Sequence, residues 1–318
     1  MSVLYLREED IEALLSMQDA LVAVEQAFRA LGMGDARNQP RRRIQLPHSM
    51  LNVMPAGWAS RGYLGFKYYT VGSQGIRFWV HLLDADTGAL LAVMQANRLG
   101  QQRTGAASGV ATTFLSRPDS TTVGIIGTGW QAESQLQALC GVRPIRTVRC
   151  YGRDRARRQI FAKTMSSRLG IDVHAVDSAK EAVQKADVVV AATASSEPVI
   201  LGKWLQPGCH VNAMGANRID ARELDDDVIR RSTLITVDSV EQAKLEAGDL
   251  VQPIEKGFLS WERVREICDV VSGKVHGRTA DDEITVFKSL GIAIEDVAAA
   301  ALVYEKARHE HVGTELPL

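Results

Sequence analysis

A short apolar run, Val123 to Ile126, leads into Gly127-Thr128-Gly129-Trp130-Gln131-Ala132, and a helical pattern follows from Glu133 to Leu139. This spacing is what a strand-to-helix turn needs to seat a diphosphate. Gly127 permits the tight turn, Gly129 keeps side-chain atoms off the phosphates, and Ala132 lets the helix close onto the strand. The start of the helix then turns its free amides and positive dipole end toward the anion. Gly127, Thr128, Gly129, Trp130 and Gln131 are the candidate dinucleotide contacts.

The next strand, TVRCY, ends in Gly152-Arg153-Asp154-Arg155, with Arg157 and Arg158 beyond. A site selective for NAD usually places Asp or Glu here, to accept from the ribose 2′-hydroxyl. Arg153 and Arg155 instead suit a 2′-phosphate, so NADP(H) is the expected cofactor. NAD(H) stays open, because Asp154 lies in the same turn. A second glycine cluster, Met214-Gly215-Ala216-Asn217, follows an apolar strand and belongs at the carboxyl edge of the sheet, where open α/β sheets bind ligands.

Two charged residues sit awkwardly in their surroundings. Arg103 lies near the start of a helix otherwise made of small residues, RTGAASGVATTFL. It is either a surface or ion-paired arginine, or a bidentate ligand for a carboxylate, which a planar guanidinium holds better than an ammonium does. Lys67 interrupts the strand YLGFKYYTV. Alternation puts it on one face with Gly65 and Tyr69, opposite Phe66 and Tyr68. There it either snorkels or binds an anion.

The elements that position these residues fall into two groups. Glu8 to Leu31 has helical apolar spacing that ends near Gly32 and Gly34. From Arg43 the period changes to β-rich runs, RRIQLP, MLNVMPA, YLGFKYYTV, IRFWVHLLD and ALLAVMQA, the last two flanking an Asp86-Thr87-Gly88 hairpin turn. The small-residue helix begins near Leu99. Beyond the turn at Arg117-Pro118-Asp119-Ser120, Val/Ile-rich strands alternate with helices, which describes a parallel sheet covered on both faces. A strand and a long amphipathic helix close the chain. The expected fold is α/β: a doubly wound Rossmann domain over 118–291, and a second α/β domain from 1–117 plus 292–318.

A chain of 318 residues is long enough for two cores. The formal net charge of -1 offers no electrostatic case for nucleic acid or an anionic membrane. Cys140, Cys150, Cys209 and Cys268 lie far apart with no His at ligand spacing, so free thiols and no metal site are expected. No apolar run approaches the roughly 20 residues of a membrane span. The acidic start, MSVLYLREEDIEALL, does not read as a signal peptide, and a cytoplasmic protein is expected.

Taken in order, several separated stretches carry a family resemblance. They are Gln39-Pro40-Arg41-Arg42, Met54-Pro55-Ala56 leading to Lys67, QQRTGAASGVAT and GIIGTGWQA. ATASSEPV, MGANRIDARELD, VDSVEQA and KSLGIAIEDVAAA follow. Along nearly its whole length the chain resembles the ornithine cyclodeaminase/μ-crystallin family. The resemblance implies a Rossmann domain joined to an N-terminal α/β domain that the C-terminal helix completes. That domain forms a homodimer in the family and carries much of the substrate site. Carboxylate ligands are implied at Arg42 and Arg103, with Arg41 and Arg43 leaving the register open by one step. Lys67 matches a substrate-contacting, proton-donating group, and Thr193 and Ser195, after the ADVVVAA strand, match nucleotide contacts.

True ornithine cyclodeaminases carry an aspartate followed by a Cys-Pro-Gly-Lys-Thr-like stretch. Here Asn217 stands at that place, followed by Arg218-Ile219-Asp220. An amide orients a substrate but is no general base, and Asp220 substitutes only if the loop folds differently. The implied activity is an NAD(P)H-dependent reductase of small imino acids, of the ketimine reductase or alanine dehydrogenase-like branch. In it, hydride reaches a carboxylate-anchored C=N while Lys67 supplies a proton. The alternatives are ornithine cyclodeaminase, which recycles NAD+ within one turnover, and a μ-crystallin-like NADPH-binding protein.

Overall fold

A computed structural model of the chain describes residues 2–317. In chain order the elements begin with β1 (Ser2–Leu6), α1 (Glu8–Leu14), α2 (Met17–Met33), β2 (Ala36–Asn38), β3 (Arg42–Leu46) and β4 (Ser49–Trp58). β5 (Tyr63–Gly72), β6 (Gly75–Asp84), β7 (Leu90–Gln95), α3 (Asn97–Leu115), β8 (Thr122–Ile126), α4 (Trp130–Val142) and β9 (Thr147–Tyr151) come next. Then follow α5 (Arg155–Leu169), β10 (Asp172–Ala175), α6 (Ala179–Val183), β11 (Val188–Ala191), β12 (His210–Ala213), α7 (Asp226–Arg231) and β13 (Leu234–Val237). The last are α8 (Val240–Glu246), α9 (Gly248–Glu255), β14 (Val264–Glu266), α10 (Ile267–Val271), β15 (Thr285–Lys288), α11 (Ala293–Glu310) and β16 (Thr314–Pro317).

The chain divides into two compact units, Met1–Ala107 with Gly291–Leu318, and Ser108–Leu290. The first division falls inside α3, between Ala107 and Ser108, and the small-residue helix itself continues to Leu115.

In the first unit a mixed sheet runs β16-β1-β7-β6-β5-β4-β2, with β3 paired to β4. β4 to β7 form an antiparallel meander, and β1 joins β7 in parallel. The helical period from Glu8 is cut into α1 and α2. Ser16 takes an extended conformation and caps α2, accepting from Asp19 N while Asp19 accepts from Ser16 N. The expected amphipathic C-terminal helix is instead buried all round its first half, Ala293 to Ala301, where it packs against α2, β4, β5 and β6. Its alanines allow that close approach, and it carries two acids inward with it. The strands β1, β14 and β16 are too short or too near a terminus to announce themselves by period.

The second unit is an eight-stranded sheet, β10-β9-β8-β11-β12-β15-β13-β14. Every pairing in it is parallel. The chain builds outward from β8 through β9 and β10, then returns with β11 on the other side of β8, which creates a topological switch point there. Val123, Ile125, Val148, Val188 and Val190 face one way, against Leu136, Leu139, Phe161 and Met165. Ile126, Val189, Val211, Ile235 and Val286 face the other, against Val228, Ile229 and Leu250. Both faces are covered, as the near-continuous Val/Ile runs require. His210 sits under this sheet between Thr285 and Asn212, and burial pushes its pKa down to about 3, so it packs as a neutral ring.

Among the described residues no helix is long and apolar enough to cross a membrane. Nor does any cluster of His, Cys, Asp or Glu there suit a metal ion. All four cysteines are free thiols.

Candidate functional site

The hairpins of the first unit set two rows of side chains on one face of the sheet. Met54, Lys67 and Val80 lie directly opposite one another in adjacent strands; Arg43, Asn52, Tyr69 and Phe78 form the next row. Arg42 pairs with Val53, which pairs with Tyr68, so its side chain leaves from the opposite face, and it is exposed. The arginine that joins Lys67 is Arg41, one residue upstream. It is 6% exposed, its Nε donates to Met54 Sδ at 3.4 Å and its Nη2 to the Gly291 carbonyl at 3.3 Å. Its guanidinium lies 5.9 Å from the Tyr69 ring centroid. The strand period of two turns Arg42 to the opposite face, while Arg41, just ahead of β3, is the buried arginine beside Met54.

Lys67 is buried, with Nζ 3.0 Å from Asp296 Oδ1 and 5.0 Å from the Phe78 ring centroid. Arg103, brought in by α3, donates from Nε to the same Asp296 oxygen at 3.0 Å and from Nη1 to Glu295 Oε2 at 2.7 Å. Both acids come from α11 and are fully buried. Burial pulls the Lys67 pKa down to about 8; the positive charge of Arg103 adds to this, and Asp296 partly opposes it. Burial also works against the charge on Arg103, but Asp296 and Glu295 more than offset it and hold the guanidinium firmly protonated. Within one cluster, then, Lys67 is poised to exchange a proton near neutral pH and Arg103 is a permanent cation.

Asn52 was not singled out in the sequence. It is 0% exposed, and neither Nδ2 nor Oδ1 has a hydrogen-bond partner. Buried amides are nearly always satisfied, so one that is not calls for a ligand or a water. The available signal was its place as a lone polar residue in MLNVMPA, two before Met54 and therefore on that residue's face.

In the second unit, Gly127 has φ +103°, and a Cβ there would lie 2.1 Å from the Ala192 carbonyl oxygen, so no other residue fits. Gly129 caps the start of α4 in an ordinary extended conformation, and a Cβ there would meet nothing within 4 Å. Open space lies over Gly129 at the N-terminus of a 13-residue helix, where an anion could approach the backbone. Thr128 and Gln131 are half-buried beside it and Trp130 is exposed. Beyond β9, Arg153 and Arg155 are exposed, while Asp154 is engaged as the cap of α5, accepting from Arg157 N at 3.0 Å.

Thr193 follows β11, and Gly215 follows β12. Glu223, which the sequence reading passed over, joins them. Its Oε1 accepts from Thr193 N at 2.8 Å and Thr193 Oγ1 at 2.7 Å, and its Oε2 accepts from Gly215 N at 2.7 Å and Ala216 N at 3.1 Å. The amides of Thr193 and Gly215, both expected at the cofactor, are thus already engaged. Ser195 is engaged in a local turn, its Oγ donating to the Glu197 carbonyl at 2.7 Å. Burial raises the Glu223 pKa; Lys288 opposes this, and Asp249 adds to it. Asn217 is half-buried. Asp220 is exposed and held by Arg218 at 2.9 and 3.1 Å, which lowers its pKa, so it does not fold back to replace the missing acid.

The chain is similar to known proteins along nearly its whole length. The profile of the ornithine cyclodeaminase/mu-crystallin family matches residues 2–311. The ketimine reductase mu-crystallin of Macropus fuliginosus is 34% identical over 316 residues, covering 95% of this chain and 96% of that protein. The structure of Thermococcus litoralis Δ1-pyrroline-2-carboxylate reductase with NADH and L-proline superposes with a TM-score of 0.95 at 38% identity, over 99% of this chain and 100% of that one. An archaeal alanine dehydrogenase dimer with bound NAD superposes with a TM-score of 0.94 at 36% identity, over the whole of both chains. A buried cationic cluster in one unit, a glycine cradle at a switch point in the other and similarity along the full length lead to one conclusion: the chain belongs to the ornithine cyclodeaminase/mu-crystallin family.

Proposed function

We propose that the chain is an NAD(P)H-dependent reductase of small imino acids. Its substrates are Δ1-pyrroline-2-carboxylate, Δ1-piperideine-2-carboxylate, or the imine of a 2-oxo acid and an amine. The observation that carries this reading is the buried cluster of Lys67 and Arg103 on Glu295 and Asp296, with Arg41 buried beside them. A substrate carboxylate is gripped there by planar guanidinium groups. A bound nicotinamide supplies the hydride. Lys67 gives its proton to the imine nitrogen, the Asn52 amide takes up a polar edge of the substrate, and Asn217 orients without acting as a base.

Three further parts of the reading have their own support. NADPH is preferred to NADH, in keeping with exposed Arg153 and Arg155 and with Asp154 already engaged at the helix cap. Free thiols suit a reducing compartment such as the cytoplasm. The working form is a homodimer, for which the first unit offers an apolar groove of about 580 Å³ lined by Trp58, Tyr63, Leu64, Phe66 and Leu83.

The deciding assay follows NADPH and NADH oxidation with each cyclic imino acid and with pyruvate plus methylamine, beside ornithine with NAD+. Oxidation with an imino acid, faster for NADPH, is the expected result. Release of proline and ammonia from ornithine, with no imine reduction, would make the protein a cyclodeaminase and overturn the reading.

A further inference from the structure

We propose that Glu223 is a positioning residue for the nicotinamide nucleotide; the proposal rests on the reading of Ser108–Leu290 as the nucleotide-binding unit. One buried carboxylate ties two turns at the carboxyl edge of the sheet, taking two donors from Thr193 after β11 and two amides from Gly215 and Ala216 after β12. A buried carboxylate is tolerable only with such a full set of donors, so it and the two turns hold one another in place.

Close backbone approaches extend this hold to the phosphate cradle. A Cβ at Gly215 would come within 2.1 Å of the Thr193 carbonyl oxygen and 2.5 Å of Glu223 Oε1, and a Cβ at Gly127 within 2.1 Å of the Ala192 carbonyl oxygen. Displacing the Thr193 turn therefore displaces both its neighbours. Glu223 is itself anchored at the main chain: its N and that of Leu224 donate to Asp249 Oδ1 at 2.8 Å, and its carbonyl accepts from Val199 and Ile200. Lys288 completes the arrangement, donating to the Ala216 carbonyl at 2.5 Å and pairing with Asp249 at 2.9 Å.

The same carboxylate has an electrostatic consequence. By consuming the amides of Thr193, Gly215 and Ala216 and setting a negative charge under them, Glu223 makes the second glycine cluster unattractive to phosphate. The diphosphate is left with a single seat, at Gly127 to Gln131.

The test is titration of the full-length Glu223→Gln variant beside wild type with NADH and, in parallel, with NADPH, together with thermal melts and steady-state kinetics. Glutamine keeps the size but turns an NH2 group toward two donors, which cannot be accommodated. NADH binding is expected to weaken by about tenfold or more, while KM for the imino acid at saturating NADH changes by less than about twofold. A lowered Tm with a wild-type Kd for NADH would reduce Glu223 to a stability role and overturn the proposal. Thr193→Val, which removes only the hydroxyl donor, guards against a variant that does not fold. It is expected to weaken NADH binding about threefold, and a wild-type Kd in that variant would count equally against the proposal. Failure of wild type itself to bind either nucleotide would sink the underlying reading, and the wild-type arm reports this separately.

Discussion

Lys67 carries its proton in a setting where burial and Arg103 work against the charge and Asp296 works for it, leaving a pKa of about 8. Reduction of an imine consumes a proton, so on the proposed reading the protonated lysine is the active form in that direction. As pH rises through about 8 the proton is lost, and kcat/KM for reduction should fall, while the reverse oxidation should gain. A bound carboxylate favours the ammonium, so the break in kcat should lie at higher pH than the break in kcat/KM. Lys67→Met should lower kcat by about 10²-fold or more and flatten this limb of the pH profile, read by steady-state kinetics. Asn52 offers a complementary test, because a buried amide without partners is a cost to folding. Asn52→Leu should stabilise the chain by about 1–3 kcal/mol in chemical denaturation. The same variant should raise KM for the imino acid by about tenfold. A destabilised variant with unchanged KM would mean that the amide serves the fold alone.

At the scale of elements, the turn from β8 into α4 does two separable things. Gly127 is required by the fold, because its φ is +103° and the Ala192 carbonyl stands where a Cβ would go. Gly129 is not, since nothing lies within 4 Å of its would-be Cβ. Gly129→Ala should therefore leave the thermal melt within a few degrees of wild type, losing about 1 kcal/mol at most from the helix cap. Its Kd for NADH should nevertheless rise about tenfold or more, because the methyl group stands where phosphate must approach the amides. Unchanged nucleotide binding in that variant would move the diphosphate away from this turn. Gly127→Ala should fail in both measurements.

At the scale of the whole molecule, the proposed assembly is a pair of chains joined through the apolar groove of the first unit. Leu64 is 44% exposed there, beside Trp58 and Phe66. Light scattering should return twice the 34.7 kDa of the chain. Leu64→Asp, which puts a charge into the groove, should shift the protein toward the single-chain mass without loss of helical signal. A wild-type chain that stays monomeric at micromolar concentration would remove the groove as an interface.

Much of this protein is determined locally and is legible in order along the chain. The parallel sheet follows from Val/Ile runs separated by helical spacing, and the tight β8-to-α4 turn follows from Gly127, Gly129 and Ala132, because short-range sterics dictate both. Lys67 and Arg103 stand out because each is a long cation among small or apolar neighbours. What only the tertiary structure decided is which neighbours these residues meet. Arg42 is turned away from the cluster because hairpin register, a pairing between strands, sets which face each residue takes, and Arg41, just ahead of that strand, is the one buried there. Asn52 and Glu223 look ordinary in sequence; one is distinctive for lacking partners and the other for having four donors, and both conditions arise only once the chain has folded. Glu295 and Asp296 read as the acidic first turn of a helix, yet burial against α3 and β5 makes them the counter-charges that tune Lys67. Electrostatic roles depend on burial and partner distance, and neither exists until the chain has folded.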